Sequence, residues 1–308
     1  MFVVKIALSL LLLFSQPQSA SASEVFDRSL VDDIKSSDEL VLRGNQLYVE
    51  GRSLMAIGLY SQALEKNPEN LTAFFNRGVA RFQLLEVSNA IADFTHVIDQ
   101  SPDFVPALHA RATAYRQNDQ LDKALADNNL TIEYEPYSAH LLHGRALTLR
   151  ALDRVGEAIV DLDRAIQADV SFAPAFKVRA DIYFELGSTE QALADYLNAY
   201  IINPQDYDTT YNVGLSLSVL GQFLHAIEAY SRVIEVYPDH MPSLMSRADS
   251  LRLVNEHSRA LIDINHAIDV TPELGEAYRI RALIYLELGK KVDAASDFET
   301  AARIDQVK

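Results

Sequence analysis

A period of 34 residues runs through the chain and constrains its fold more than any other feature. Stepping by 34 from Ser37 reaches Leu71, Val105, Ala139, Ala173, Tyr207, Met241 and Gly275, so eight units fill residues 37–308 without insertion or deletion. The units are 37–70, 71–104, 105–138, 139–172, 173–206, 207–240, 241–274 and 275–308. With positions counted 1–34 within a unit, position 20 is alanine in all eight, from Ala56 to Ala294. Position 8 is always Gly or Ala: Gly44, Gly78, Ala112, Ala146, Ala180, Gly214, Ala248 and Ala282. Small residues at both places let two antiparallel helices approach closely, and larger side chains then interlock around them. Position 24 supplies those larger groups (Tyr60, Phe94, Leu162, Tyr196, Tyr230, Ile264 and Phe298), with Asn128 standing there in the third unit. Proline occupies position 32 in six units, where it stops the second helix. Pro106, Pro174 and Pro242 sit at position 2, in the first turn of the first helix, where proline is tolerated.

This pattern resembles the tetratricopeptide repeat (TPR) family, whose unit is a helix–turn–helix of this length with small residues at positions 8, 20 and 27. The resemblance covers everything after residue 36. The chain departs from the family pattern at position 4, which is aromatic only in Phe74, Phe176 and Tyr278 and never Trp. The resemblance implies an all-α fold, a right-handed superhelical α-solenoid of helix-turn-helix TPR units. It also implies a concave groove lined mainly by the first helix of each repeat, and a role in binding proteins or peptides.

The residues ahead of the repeats read differently. Lys5, the apolar run from Ile6 to Phe14 and the small residues Ala20-Ser21-Ala22 form a secretory signal peptide over 1–22, with cleavage after Ala22. That places the mature protein in a periplasm, a secretory lumen or outside the cell. The apolar run is shorter than the roughly 20 residues of a membrane span, so no stable membrane insertion is expected after cleavage. An uncleaved N-terminal anchor is the other reading. Within 23–36, Phe26, Leu30 and Ile34 recur every four residues, as in a short amphipathic helix capping the first repeat. At the other end the eighth repeat has Ala295 and Ala302 where the others carry Ile, Leu or Tyr, which lessens the apolar surface of its last helix. A formal net charge of −16 would repel phosphate backbones, so nucleic acid is not an expected partner.

Two charged series recur at fixed positions. Position 7 is Arg in seven repeats (Arg43, Arg77, Arg111, Arg145, Arg179, Arg247 and Arg281), and position 23 is Asp in six (Asp93, Asp127, Asp161, Asp195, Asp263 and Asp297). The sixth repeat loses both together, with Val213 and Ala229, as partners across a helix pair would. Arg43 faces Leu59 and is the exception. We therefore expect intra-repeat ion pairs that set helix register, not a polyanion site.

By the resemblance, the groove is lined from positions 2, 5, 6, 9, 12 and 13. Repeats 1 and 2 place Val41, Asn45, Tyr48, Phe75, Asn76 and Phe82 there; repeats 3 and 4 place His109, Arg116, Gln117, His140, His143 and Arg150, and Lys177 follows in repeat 5. The only acidic residue in the lining of the first four repeats is Asp38. An extended peptide could set apolar side chains against Tyr48, Phe75 and Phe82 and acidic groups against Arg116 and Arg150. These groove side chains could equally be a solvated helix face. The family's clamp for an acidic chaperone tail is absent: Asn45 and Asn76 match it, but Val41, Pro106 and Ala110 replace its cations.

No enzyme is expected. There is no cysteine, no phosphate-binding glycine loop and no readable Ser/His/Asp set. His140 and His143 are spaced as two ligands on one helix, but no third is evident, so neither a metal nor another cofactor is expected. The N-L-T sequons at Asn70 and Asn129 match glycosylation acceptors, with Asn70 in a turn and Asn129 within a helix. Two functions remain: an exported scaffold that binds a partner protein or extended peptide in its groove, or a non-catalytic accessory or regulatory subunit of an enzyme complex. Nothing in the sequence sets an oligomeric state.

Overall fold

A computed structural model of the protein describes residues 36–306. The expected signal peptide and all but the last residue of the expected capping segment lie outside the described residues. The described residues form sixteen α-helices and no strand, paired as eight hairpins. They are α1 (Ser37–Val49), α2 (Ser53–Lys66), α3 (Leu71–Gln83), α4 (Val87–Gln100), α5 (Val105–Gln117), α6 (Leu121–Tyr134), α7 (Ala139–Ala151) and α8 (Val155–Ala168). The series continues with α9 (Ala173–Glu185), α10 (Thr189–Ile202), α11 (Tyr207–Val219), α12 (Phe223–Val236), α13 (Met241–Leu253), α14 (His257–Val270), α15 (Gly275–Glu287) and α16 (Lys291–Gln306). The chain divides into two compact units, one ending at Ala168 and the other beginning at Asp169. Each is an all-α helical repeat solenoid.

Local chemistry explains where the helices begin and turn. Ser36 caps α1 in a reciprocal capping box with Glu39. Asn70, Asp206 and His240 cap α3, α11 and α13 by accepting a backbone N–H three residues on. Within every hairpin the residue at position 15 takes a positive φ. It is glycine at Gly51, Gly187, Gly221 and Gly289, and Leu85, Asp119, Asp153 and Asn255 in the others. Where position 32 is proline, the second helix ends two residues before it, as at Lys66 and Pro68.

Packing follows the small positions. Position 20 is buried in all eight repeats. A Cβ at Gly44, Gly78 or Gly214 would lie 2.5, 2.6 or 2.7 Å from the ring of Tyr60, Phe94 or Tyr230. Glycine is therefore the condition for seating those three rings, which are buried almost completely. In the first unit the first helices α1, α3, α5 and α7 also touch one another in sequence, and the second helices do not approach to the same extent. That makes the first helices the inner face of this unit.

The arginine and aspartate series form as expected. Arg77–Asp93, Arg111–Asp127, Arg145–Asp161, Arg179–Asp195, Arg247–Asp263 and Arg281–Asp297 are all bidentate, with donor–acceptor distances of 2.7–3.0 Å. The guanidinium also reaches back to the preceding repeat. Arg77 donates to Ser61, Arg111 to Thr95, Arg145 to Asn129, Arg247 to Ser231 and Arg281 to Asn265. Each of these five is thus a link between repeats as well as within one. Three of the arginines (Arg77, Arg179 and Arg281) also stack on the position-4 aromatic of their own helix, at 5.3–5.8 Å.

Candidate functional site

The inner face of the first unit is tighter than its sequence suggests. Phe75 is 4% exposed and packs edge-on against Phe104, with ring centroids 5.4 Å apart. Tyr48 is 8% exposed, and burial pushes its phenol up to about 12. Both belong to the core of the unit, which corrects their assignment to a peptide-binding lining. Only Phe82 of the three aromatics keeps partial exposure. Asn76 is partly exposed and spends its amide on Asn45, whose oxygen at 2.8 Å also accepts the Tyr60 hydroxyl. Close approach of successive first helices, which no one-helix pattern records, is the reason for the correction.

Lys177 lies in the second unit and is engaged there. Its ammonium is 3.2 Å from Asp206 and 4.0 Å from Asp208. Asn70 lies in a turn as expected, where it is buried and its amide nitrogen donates to Ser37 at 2.9 Å and Asp38 at 3.1 Å. A glycan on that nitrogen would displace both of these bonds. Its capping of α3 holds the side chain inside the turn.

What remains is a cluster where α5, α6 and α7 meet. His109, from the middle of α5, is 7% exposed and lies 4.7 Å from His140 between ring centroids. Room for it exists because Gly144 has no side chain: a Cβ there would sit 2.8 Å from His109 Cε1. Asn128, standing where other repeats have a large apolar group, is buried alongside and donates to Thr148 at 2.8 Å. His109 Nδ1 is buried with no hydrogen-bond partner among the described residues. Burial lowers His109 to about 3 and His143 to about 4, helped by His140 and by the positive charge of Arg116; burial lowers His140 too. All three rings are therefore neutral at pH 7.

Arg116 is the charged member of this group. Its guanidinium is partly buried, its pKa is lowered by that burial, and it forms no ion pair or side-chain hydrogen bond among the described residues. Arg150 is the equivalent residue one repeat on and is likewise partly exposed. A desolvated cation beside neutral imidazoles favours an anion that brings its own negative charge. A carboxylate suits the arginine fork best, since both its oxygens can accept. Nothing in the sequence marked the cluster as neutral; that follows from burial, helped by the neighbouring charge. No group of three metal-ligating side chains capable of holding an ion occurs among the described residues.

Comparison with known proteins agrees with this architecture. The tetratricopeptide repeat model matches residues 41–105 and 143–207. This chain is a tetratricopeptide repeat protein. Human tetratricopeptide repeat protein 6 is 26% identical over 144 residues, a match covering 46% of this chain and 28% of that protein. The chain therefore spans little more than a quarter of that relative's length. The C-terminal part of a TPR repeat-containing protein from Cytophaga hutchinsonii superposes with a TM-score of 0.62 at 17% identity, covering 76% of this chain and 96% of the other. The anaphase-promoting complex hetero-tetramer Cut9–Hcn1 gives 0.55 at 15% identity, over 91% of this chain and 55% of that one. A thermophilic TPR protein from Thermus thermophilus gives 0.50 at 23% identity, over 59% and 99%. At these identities the structural likeness concerns the fold. The fold is that of a protein–protein interaction scaffold, and among the described residues no helix is long and apolar enough to cross a membrane.

Proposed function

We propose that this TPR protein is exported and holds an extended segment of a partner protein against the inner face of its first unit. An acidic side chain or C-terminal carboxylate of that segment meets Arg116, with His140, His143 and Arg150 around it. The observation that carries the reading is Arg116 itself, a half-buried guanidinium without a counter-charge among the described residues. A cation withdrawn from water and left without a partner gains most from a ligand that supplies one. The apolar part of the interaction shrinks to Phe82, because Tyr48 and Phe75 are spent in the core. Export rests on the signal-like residues 1–22, and a mature chain starting at Ser23 is its consequence.

The test places a photo-cross-linker at Gln117, an exposed neighbour of Arg116, in the native host. Mass spectrometry of the cross-linked segment should find acidic residues at the attachment point. Arg116→Glu should lower the yield of that adduct about tenfold or more, the scale of one charge-assisted hydrogen bond of about 1.5–3 kcal/mol. An adduct of undiminished yield in the Arg116→Glu protein would remove the reading. N-terminal sequencing of the protein from fractionated cells tests export separately: a chain still carrying residues 1–22 and found in the cytosol rejects it.

A further inference from the structure

The Arg–Asp link recurs at each repeat junction within the second unit except that between the fifth and sixth repeats, and there four positions change together. At position 25 the chain has Ser, Thr, Asn or an acid in seven repeats and Leu197 in the fifth. At position 29 it has a charged or amide residue in seven and Ile201 in the fifth. Across the junction, Val213 and Ala229 replace the arginine and aspartate of positions 7 and 23. One such change is drift in a surface residue. Four that converge on one place in the fold convert a polar link into an apolar surface.

The structure shows that surface. A recess of about 350 Å³ opens between α10 on one side and α11 and α12 on the other, floored by Leu193, Leu197, Val213, Leu217 and Ala229. The equivalent recess between the third and fourth repeats, about 420 Å³, is lined instead by Asn129, Arg145, Asp161 and further charges. Leu197 keeps 40% of its surface exposed, and Ile201, one turn further along α10, keeps 71%. Leu and Ile one turn apart form a short apolar stripe leading out of the recess.

The rim says what kind of partner fits. Glu228 and Glu235, two turns apart on α12, are exposed and form no ion pair among the described residues. Arg232, the cation between them, is turned onto Tyr200 of its own chain: it donates to the hydroxyl and stacks 5.7 Å from the ring centre. Arg232 keeps its charge there, so two glutamates stand against one arginine and the rim carries a net negative charge. We infer that the junction of the fifth and sixth repeats is a second docking site, taking a helical segment whose aliphatic stripe enters the recess and whose flanking Lys or Arg side chains meet Glu228 and Glu235. This goes beyond the inner-face reading and is independent of it.

Two other occupants fit worse on charge. A second copy of the chain brings a net charge of −16 against an acidic rim. The segment ahead of the repeats, residues 23–35, carries Glu24, Asp27, Asp32 and Asp33 against only Arg28 and Lys35. Apolar area with complementary charge at its edge is the ordinary anatomy of a protein interface.

The test uses a synthetic amphipathic helix with Leu on one face and Lys beside it, and a twin with Glu for each Lys. Binding to the full chain is followed by fluorescence anisotropy, and the contact by methyl NMR at Leu197, Ile201, Val213 and Ala229. The Lys peptide should bind and shift those methyls, and the Glu twin should bind about tenfold or more weaker. The triple variant Leu197→Asn, Val213→Arg, Ala229→Asp rebuilds the link seen elsewhere and should weaken the Lys peptide about tenfold or more. If that variant folds poorly, the pair Leu197→Asn, Ile201→Glu, at the two exposed positions of α10, carries the same expectation while leaving the buried Val213 and Ala229 in place. Equal binding to wild type and variants, or shifts confined to other methyls, overturns the inference. So does concentration-dependent self-association that the variants abolish, since the occupant would then be a second copy.

Discussion

Burial decides the chemistry of His109, His140 and His143 more than their identity does. An imidazole in water takes up a proton near pH 6.5; His143 is lowered to about 4 and His109 to about 3 because the helices around them exclude water and Arg116 is already charged. Above pH 6.5 these rings are neutral in both folded and unfolded chains, so they exert no pH-dependent effect. As pH falls below 6.5 the unfolded chain binds protons that the folded one refuses, and stability is lost until the folded rings also titrate, near pH 4 and then pH 3. The loss is at most about 1.4 kcal/mol per pH unit for each histidine. Urea unfolding between pH 7.5 and 4.5 should show it, and His143→Gln should make the decline shallower. An unchanged slope in that variant would show that the ring is solvated.

The helix hairpin is the element on which the arginine links act. Each aspartate of the series is almost fully buried, and its arginine bridges two helices and, for Arg77, Arg111, Arg145, Arg247 and Arg281 at least, the preceding repeat. Removing one partner leaves the other buried without its charge, at a cost of about 3–5 kcal/mol. Removing both is gentler, and the chain contains its own example in Val213 and Ala229. Asp263→Ala should therefore destabilise by about 3 kcal/mol. The double variant Arg247→Val, Asp263→Ala, copied from the sixth repeat, should recover a substantial part of that loss. Chemical denaturation of the two variants measures the difference; a double variant no more stable than Asp263→Ala alone would contradict the account.

At the scale of the molecule, repeats touch chiefly their sequence neighbours, so stability is a sum of local terms. A lesion in one hairpin should stay near it. Asp93→Ala, which unseats Arg77 and Arg81 together, should speed amide exchange in α2 to α5. Exchange in α13 to α16, several repeats away, should stay at its wild-type rate. Hydrogen exchange read by mass spectrometry checks this, and a uniform rise along the chain would point to a single cooperative unit. The same locality explains how one junction in the second unit can exchange an ion pair for an apolar recess without altering the hairpins beside it.

The 34-residue period, the small residues at positions 8 and 20, and the prolines at positions 2 and 32 state in advance which segments are helices and how they pair. The joint loss of Arg and Asp in the sixth repeat likewise announces which charges bond to each other. These are local matters, set by spacing within one hairpin, and the sequence alone determined them. Exposure is not local. Tyr48 and Phe75 read as groove residues until neighbouring first helices closed over them, and the turn that holds Asn70 gave no sign that its side chain is buried. Arg116 reads in the sequence as one more groove cation; that it is half-buried without a counter-charge among the described residues follows only from the packing around it. Tertiary structure alone decided these cases, because burial depends on residues from three or more helices, brought together by packing that no single repeat encodes.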